Sequence, residues 1–244
     1  MGAPAVLVVD AATFLLSALV IQVALPVVAA TPSTNASSLR SALRILISDK
    51  VLRSLVGAGI VSTIVFSAWS TVMAPIYGQT VLHNSLLLGV LLGAESIGGI
   101  GGSTISRRVA RRVPRAVLFP AAIALAVVPV FAALALTASV PVLIAALFLG
   151  GVASGVYSSR LISTEYERIP ESEQGHAFGL IGGLGQAGVA IGPGLVGIIL
   201  TRAPLPAVFA GIVIIGLVVA ASLRVNPALR SPTCASGSMG GSST

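Results

Sequence analysis

The sequence predicts an all-α membrane protein, a polytopic bundle of about seven transmembrane helices, and three observations predict it. Apolar residues make up 55% of the 244 residues, while charged residues make up only 9%. The mean hydropathy is +1.03. The apolar residues also fall in long runs separated by Pro, Gly, Ser or charge. A soluble chain carries roughly 25% charged residues; here there is too little charge to solvate a globular surface, so lipid is the solvent for most of the chain. A soluble enzyme is excluded, and the single Cys excludes an intramolecular disulfide framework.

A hydrocarbon core about 30 Å thick requires about 20 mostly apolar residues per helix. Residues 4–28, 55–76, 85–105, 116–137, 140–162, 177–200 and 207–223 satisfy this. They are apolar all round rather than striped, as suits helices facing both lipid and one another. The first run, within segment 1–28, has no Lys or Arg ahead of it and contains Asp10, so it reads as a span and not as a signal peptide. Segment 29–54 reads as a cytoplasmic linker. Within it Leu39, Leu43, Leu46 and Ile47 share one helical face and Arg40, Arg44 and Ser48 another, the spacing of a helix lying in the headgroup layer. Residues 55–224 then form a six-helix bundle. The Pro/Ser/Gly-rich segment 225–244 has little to bury and is expected to be a disordered cytoplasmic tail.

Orientation follows from basic residues, which are retained on the cytoplasmic side. When alternate connections are assigned to opposite sides, all of the 14 Lys and Arg residues except Arg202 fall on one side. This places the N-terminus outside and the C-terminus in the cytoplasm, in a multi-pass cell-membrane protein. The net charge of +7 is thus an orientation signal, and nucleic acid is not an expected partner.

An acid near the bilayer centre costs about 2.5–3.5 kcal/mol on insertion scales, so it needs a partner or a water-filled cavity. Glu95 lies midway along the third run, with Leu91, Leu92, Gly98, Gly99 and Gly102 on its face. Two readings stand side by side: a proton-carrying or cation-binding carboxylate at a central cavity, or a protonated carboxyl bonded to a neighbouring helix. Asp10 and Gln186 are further candidates for substrate or proton contact, with interhelical hydrogen bonding as the simpler role of each. Trp69 and Tyr157 either line a cavity or pack.

Glycines at four-residue spacing (Gly89/Gly93, Gly98/Gly102, Gly151/Gly155, Gly179/Gly183, Gly188/Gly192) let helix backbones approach closely. Two local patterns are more specific. Gly102 is followed by Ser106, Arg107, Arg108, Arg111 and Arg112 in a short basic connection. Its guanidinium groups either latch onto carboxylates and carbonyl ends of neighbouring helices or serve as a retention signal against lipid phosphates. Gly188, Gly192, Pro193 and Gly197 make the sixth run thin and bendable.

In this order and spacing the two patterns resemble the major facilitator superfamily of secondary transporters. The basic connection is similar to the second copy of that family's cytoplasmic motif between its eighth and ninth helices: Gly102 and Arg107 match, Ser106 stands in place of the acid, and Arg111-Arg112 comes one residue late. The glycine-proline run resembles the family's antiporter motif, its final Gly-Gly reduced to Gly197. The stretch from Val8 to Ala18 looks like helix six of exporter-type members, and 39–53 like the inter-lobe helix. The resemblance covers residues 4–224 and implies helices six to twelve, the C-terminal half. It implies a substrate site near the midplane between two halves, efflux of small amphipathic molecules coupled to protons, a small-molecule substrate, the lipid bilayer and an N-terminal helical half as partners, and no cofactor. Alone, this chain is expected not to transport.

Other classes fare worse. A retinal protein needs a Lys in its last span, whereas Lys50 lies in a connection. A membrane enzyme needs a nucleophile–base pair or a metal cluster, and His83 and His176 fall on opposite sides. A non-transporting scaffold or inactive fragment is the alternative to the transporter.

Overall fold

The computed structural model describes residues 3–24, 39–137 and 139–229. Of the expected tail 225–244, Pro227–Leu229 forms a short 3-10 turn with Leu229 buried, and residues 230–244, with Cys234, lie outside the described residues, as do the first part of the linker and the side chain of Asp10. The chain divides into two compact units, Met1–Ala36 and Ser37–Thr244. The first contains α1 (Ala3–Ala24), whose described residues Phe14, Leu15, Leu16 and Leu19 are exposed. Such a surface suits a lipid environment.

The second unit holds α2 (Leu39–Ser48) and six helices long and apolar enough to cross a membrane. The first of these spans Lys50–Leu82 as one continuous rod: α3 (Lys50–Ala68), a π segment (Trp69–Met73), α4 (Ala74–Tyr77) and a second π segment (Gly78–Leu82). Then follow α5 (Ser85–Arg112), α6 (Arg115–Leu136), α7 (Val140–Arg168), α8 (Gln174–Leu200) and α9 (Leu205–Val225). Short connections make successive helices antiparallel. Asp49, Arg112 and Arg168 therefore share a basic pole with the end of α9, and Arg202 lies at the opposite pole.

Several helices overrun the apolar runs that announce them. α5 continues past residue 105 to Arg112, α7 past 162 to Arg168, and α3 begins at Lys50 instead of 55. Apolarity ends where lipid ends, whereas a helix ends where its hydrogen bonding is interrupted. Pro114 and Pro170 supply the interruption, because the residue before a proline is driven out of the α region: Val113 and Ile169 are extended. At the start of α3 the Asp49 carboxylate caps the helix, accepting from the Val51 and Leu52 amides at 2.7 and 3.2 Å. At the opposite pole the turn is only two residues: His83 is left-handed (φ 50°), and Asn84 caps α5 by accepting from the Leu86 and Leu87 amides.

Glycine decides which helices touch most closely. A Cβ on Gly98 or Gly102 would overlap the backbone of Phe148 or Val152, and one on Gly151 or Gly155 would overlap Glu95 or Gly99. The two small pairs therefore face each other and let the backbones of α5 and α7 meet. Gly192 similarly admits the Ile64 carbonyl and the Ser67 hydroxyl, joining α8 to α3. Behind these pairs α6 and α9 pack together, with Val127 filling the space left by Gly216. Gly89, Gly93, Gly179, Gly183 and Gly197 have open space around them and are not used for helix contact within the unit.

Helix α2 differs from its expected arrangement. Ala42 and Leu46 turn inward against α3 and α8, at 0% and 6% exposure, while Leu39, Leu43 and Ile47 remain exposed. The face read as one apolar stripe is split between the bundle and the outside.

Candidate functional site

A cavity of about 540 Å³ opens between α3, α5, α6, α7 and α8. Each helix contributes a stripe at helical spacing. From α7 these are Ser154, Tyr157, Ser158, Leu161 and Glu165; from the first span, Ser62, Thr63, Ser67 and Ser70. Glu95 comes from α5.

The π segment positions one wall. Pro75 has no N–H to give and its ring crowds the preceding turn, and the chain adapts by widening the turn before it. The Ala74 N–H accordingly donates to the Trp69 carbonyl, five residues back. Trp69, 2% exposed, packs edge-on against Phe131 and Phe209 at centroid distances of 5.8 and 6.2 Å. Its indole Nε1–H donates to Glu95 Oε2 at 3.4 Å. Glu95 thus both lines the cavity and is bonded to a neighbouring span. The bond is long and occupies one carboxylate oxygen, which leaves the other able to bind a proton or a ligand.

Glu165 has no counterpart in the sequence reading. It is 4% exposed and lines the same cavity. Gly151 lies beside the Glu95 carbonyl, so at about 1.5 Å per residue Glu165 stands about 20 Å further along α7, toward the basic pole. Between the two acids lies Tyr157, 7% exposed, whose buried hydroxyl has no hydrogen-bond partner among the described residues. The spacing 154, 157, 158, 161, 165 is the signal that marks this polar stripe.

The other sequence candidates fall elsewhere. Gln186 is exposed on α8 and outside the cavity wall, although its neighbour Gly185 lines it. Gly188 and Gly192 are at the α3–α8 contact, Pro193 lies inside α8, and Gly197 faces open space. Gly102 is at the α5–α7 contact, but Arg107, Arg108, Arg111 and Arg112 are exposed on the last turns of α5, which is helix rather than loop. Arg108, Arg111 and Arg112 rim a separate groove. Among the described residues the ion pairs at this pole are made by other groups: Arg115 with Glu167, and Arg168 with Asp49 at 2.8 Å. Partial burial works against the Asp49 charge. The Arg168 hydrogen bond, the Leu52 and Val51 amides and the guanidinium charge outweigh it and hold the carboxyl below its usual range. Ser41 adds a 2.7 Å hydrogen bond to Glu173, tying α2 to the connection between α7 and α8.

A family model described as Major Facilitator Superfamily matches residues 113–238, from the start of α6 to beyond α9. No curated protein matches the chain.

Proposed function

Because this chain belongs to the Major Facilitator Superfamily of membrane transporters, we propose that it forms the C-terminal helical half of a secondary active transporter that exports small amphipathic molecules in exchange for protons. Glu95 is the proton-carrying group, and the observation that carries this reading is its place on the cavity wall with one oxygen held by Trp69. A carboxyl inside a bilayer is costly unless it is used or paired, and this one is paired on one side only. The basic pole faces the cytoplasm of a cell membrane, following the retention of Arg and Lys on that side. A second helical half covers the open side of the cavity. Its place is suggested by α5 and α8, whose apolar windows are only 17% buried, against 61% for α6.

The test is efflux measured across a range of pH from cells producing the complete transporter, this chain together with its N-terminal helical half, with and without Glu95→Gln. Proton-driven efflux is expected to be abolished while the protein still inserts. Unchanged efflux at every pH would remove Glu95 from the mechanism.

A further inference from the structure

We propose that the end of α5 is a binding site for an anionic phospholipid, its headgroup phosphate held by Arg108, Arg111 and Arg112 and an acyl chain lying along the same side of the helix. The inference is independent of what the cavity carries; it needs only that this pole lies at a membrane surface. Arg107, Arg108, Arg111 and Arg112 are exposed on the last turns of α5, and among the described residues none of them forms an ion pair. The carboxylates of this pole are engaged elsewhere: Glu167 with Arg115, Asp49 with Arg168, and Glu173 with the Ser41 hydroxyl. Glu165 is buried in the cavity wall, and Glu171 is exposed in the connection between α7 and α8. The carbonyl end of a helix also attracts positive charge, but it is equivalent to only about half an elementary charge, and four guanidinium groups stand here. The excess is available to an anion, and the planar fork of each guanidinium matches phosphate oxygens in pairs.

The rest of the surface says which phosphate. At 3.6 residues per turn, Arg108, Arg111 and Arg112 share about a third of the helix circumference with Val90, Ile97 and Ile105, all exposed. Gly101, between Ile97 and Ile105, leaves open space on this side. The other sides of α5 are taken: Gly98 and Gly102 meet α7, and Leu92 and Glu95 line the cavity. From Ile97 to Arg108 the helix rises about 16 Å, close to the depth of one leaflet of a core about 30 Å thick. A phospholipid with its phosphate among the three arginines therefore lays a chain over Ile105, Gly101 and Ile97. A soluble anion would use the arginines alone, and a carboxylate from another protein segment would leave the apolar strip unexplained. An anionic lipid is favoured over a zwitterionic one because it brings no ammonium group of its own to face the arginines.

The experiment adds one fluorescent reporter at a time to the full chain. Trp69 is the only native tryptophan and is buried, so a second tryptophan at a lipid-facing position is what chain-brominated lipid quenches above the native background. One variant carries Ile105→Trp, at the proposed site, and another carries Ile214→Trp, exposed on α9. Each is reconstituted in vesicles of phosphatidylcholine and phosphatidylglycerol, with bromine on one lipid or on the other. Phosphatidylglycerol is expected to be enriched over phosphatidylcholine by about fivefold or more at position 105 and not at position 214. Replacing Arg108, Arg111 and Arg112 together by Gln is expected to abolish the enrichment, whereas Arg202→Gln, at the opposite pole, is expected to leave it. Salt at about 1 M, where charges are screened within about 3 Å, is expected to weaken it with the arginines in place, so the test stands even if the triple variant fails to insert. Equal quenching by both lipids at position 105, the same enrichment at position 214, or enrichment untouched by salt or by loss of the arginines would overturn the site. Enrichment lost to inorganic phosphate but not to chloride at equal ionic strength would overturn the lipid as its occupant in favour of a soluble anion. No readout here involves efflux, so the lipid site and the transporter reading fail separately.

Discussion

At the scale of single residues, Asp49 performs two tasks with one carboxylate. One oxygen caps α3 through the Val51 and Leu52 amides, and the other holds Arg168 at the end of α7. The two tasks separate by substitution. Asp49→Asn keeps a capping oxygen and loses the charge, so it is expected to cost about 1 kcal/mol or less, the range for a partly exposed ion pair. Asp49→Ala loses the cap too and is expected to cost about 1 kcal/mol more. The sign of the pH dependence follows from the lowered affinity of this carboxyl for protons. Its stabilising contribution is fully present above the ordinary carboxylate range and is lost as pH falls through its depressed folded value. Thermal unfolding of the detergent-solubilised protein should therefore separate wild type from Asp49→Asn at neutral pH, and the gap should close under strong acid. A gap that persists there would mean that the charge is not what the pair contributes.

At the scale of helices, the glycine pairs that look alike in sequence differ in what surrounds them. Gly98, Gly102, Gly151 and Gly155 lie where a side chain would enter the facing backbone, whereas Gly89 and Gly93, on the same helix as the first pair, have room. Backbone cannot move aside as a flexible side chain can. Ala at any of the first four is therefore expected to destabilise the α5–α7 pair by about 1–3 kcal/mol, and Ala at 89 or 93 by essentially nothing. Melting temperatures and monodispersity in detergent read this out, and equal effects at both sets would show that α5 and α7 do not meet through these residues. The contrast also marks what could be read in advance. The six spans of the second unit were legible because run length measures lipid thickness. Their ends were not, since α5 and α7 continue beyond the lipid until Pro114 and Pro170 stop them. Glu95 was legible as a candidate because an acid amid an apolar run needs a partner or a cavity. Glu165 was hidden at the end of its run, where polar residues are ordinary and only the packing of neighbouring helices buries it. Arg107 to Arg112 stood out by charge density, yet the ion pairs formed at Arg115 and Arg168, whose partners come from α7 and from ahead of α3.

At the scale of the whole molecule, charge asymmetry and the cavity have one axis in common. The exposed guanidinium groups at the end of α5, the Arg115–Glu167 and Arg168–Asp49 pairs, and Glu165 all lie toward one pole. Glu95 and its Trp69 partner lie about 20 Å away along that axis by helix rise. If the basic pole is cytoplasmic, the cavity presents Glu165 to the cytoplasmic side and Glu95 near the membrane's middle. Orientation can be measured independently of transport. With the native Cys234 replaced by Ser, a cysteine at Arg111 should resist a membrane-impermeant thiol reagent applied to intact cells and react once the cells are opened. A cysteine at Thr201, in the turn between α8 and α9, should react in intact cells. Reversal of the two would put the basic pole outside, against the strong bias of insertion for retaining Arg and Lys, and would make Glu165 the acid nearer the exterior. The side of the membrane from which each end of the cavity is reached would then be exchanged, although the residues that line it would stay the same, because the wall does not depend on which side of the membrane it faces.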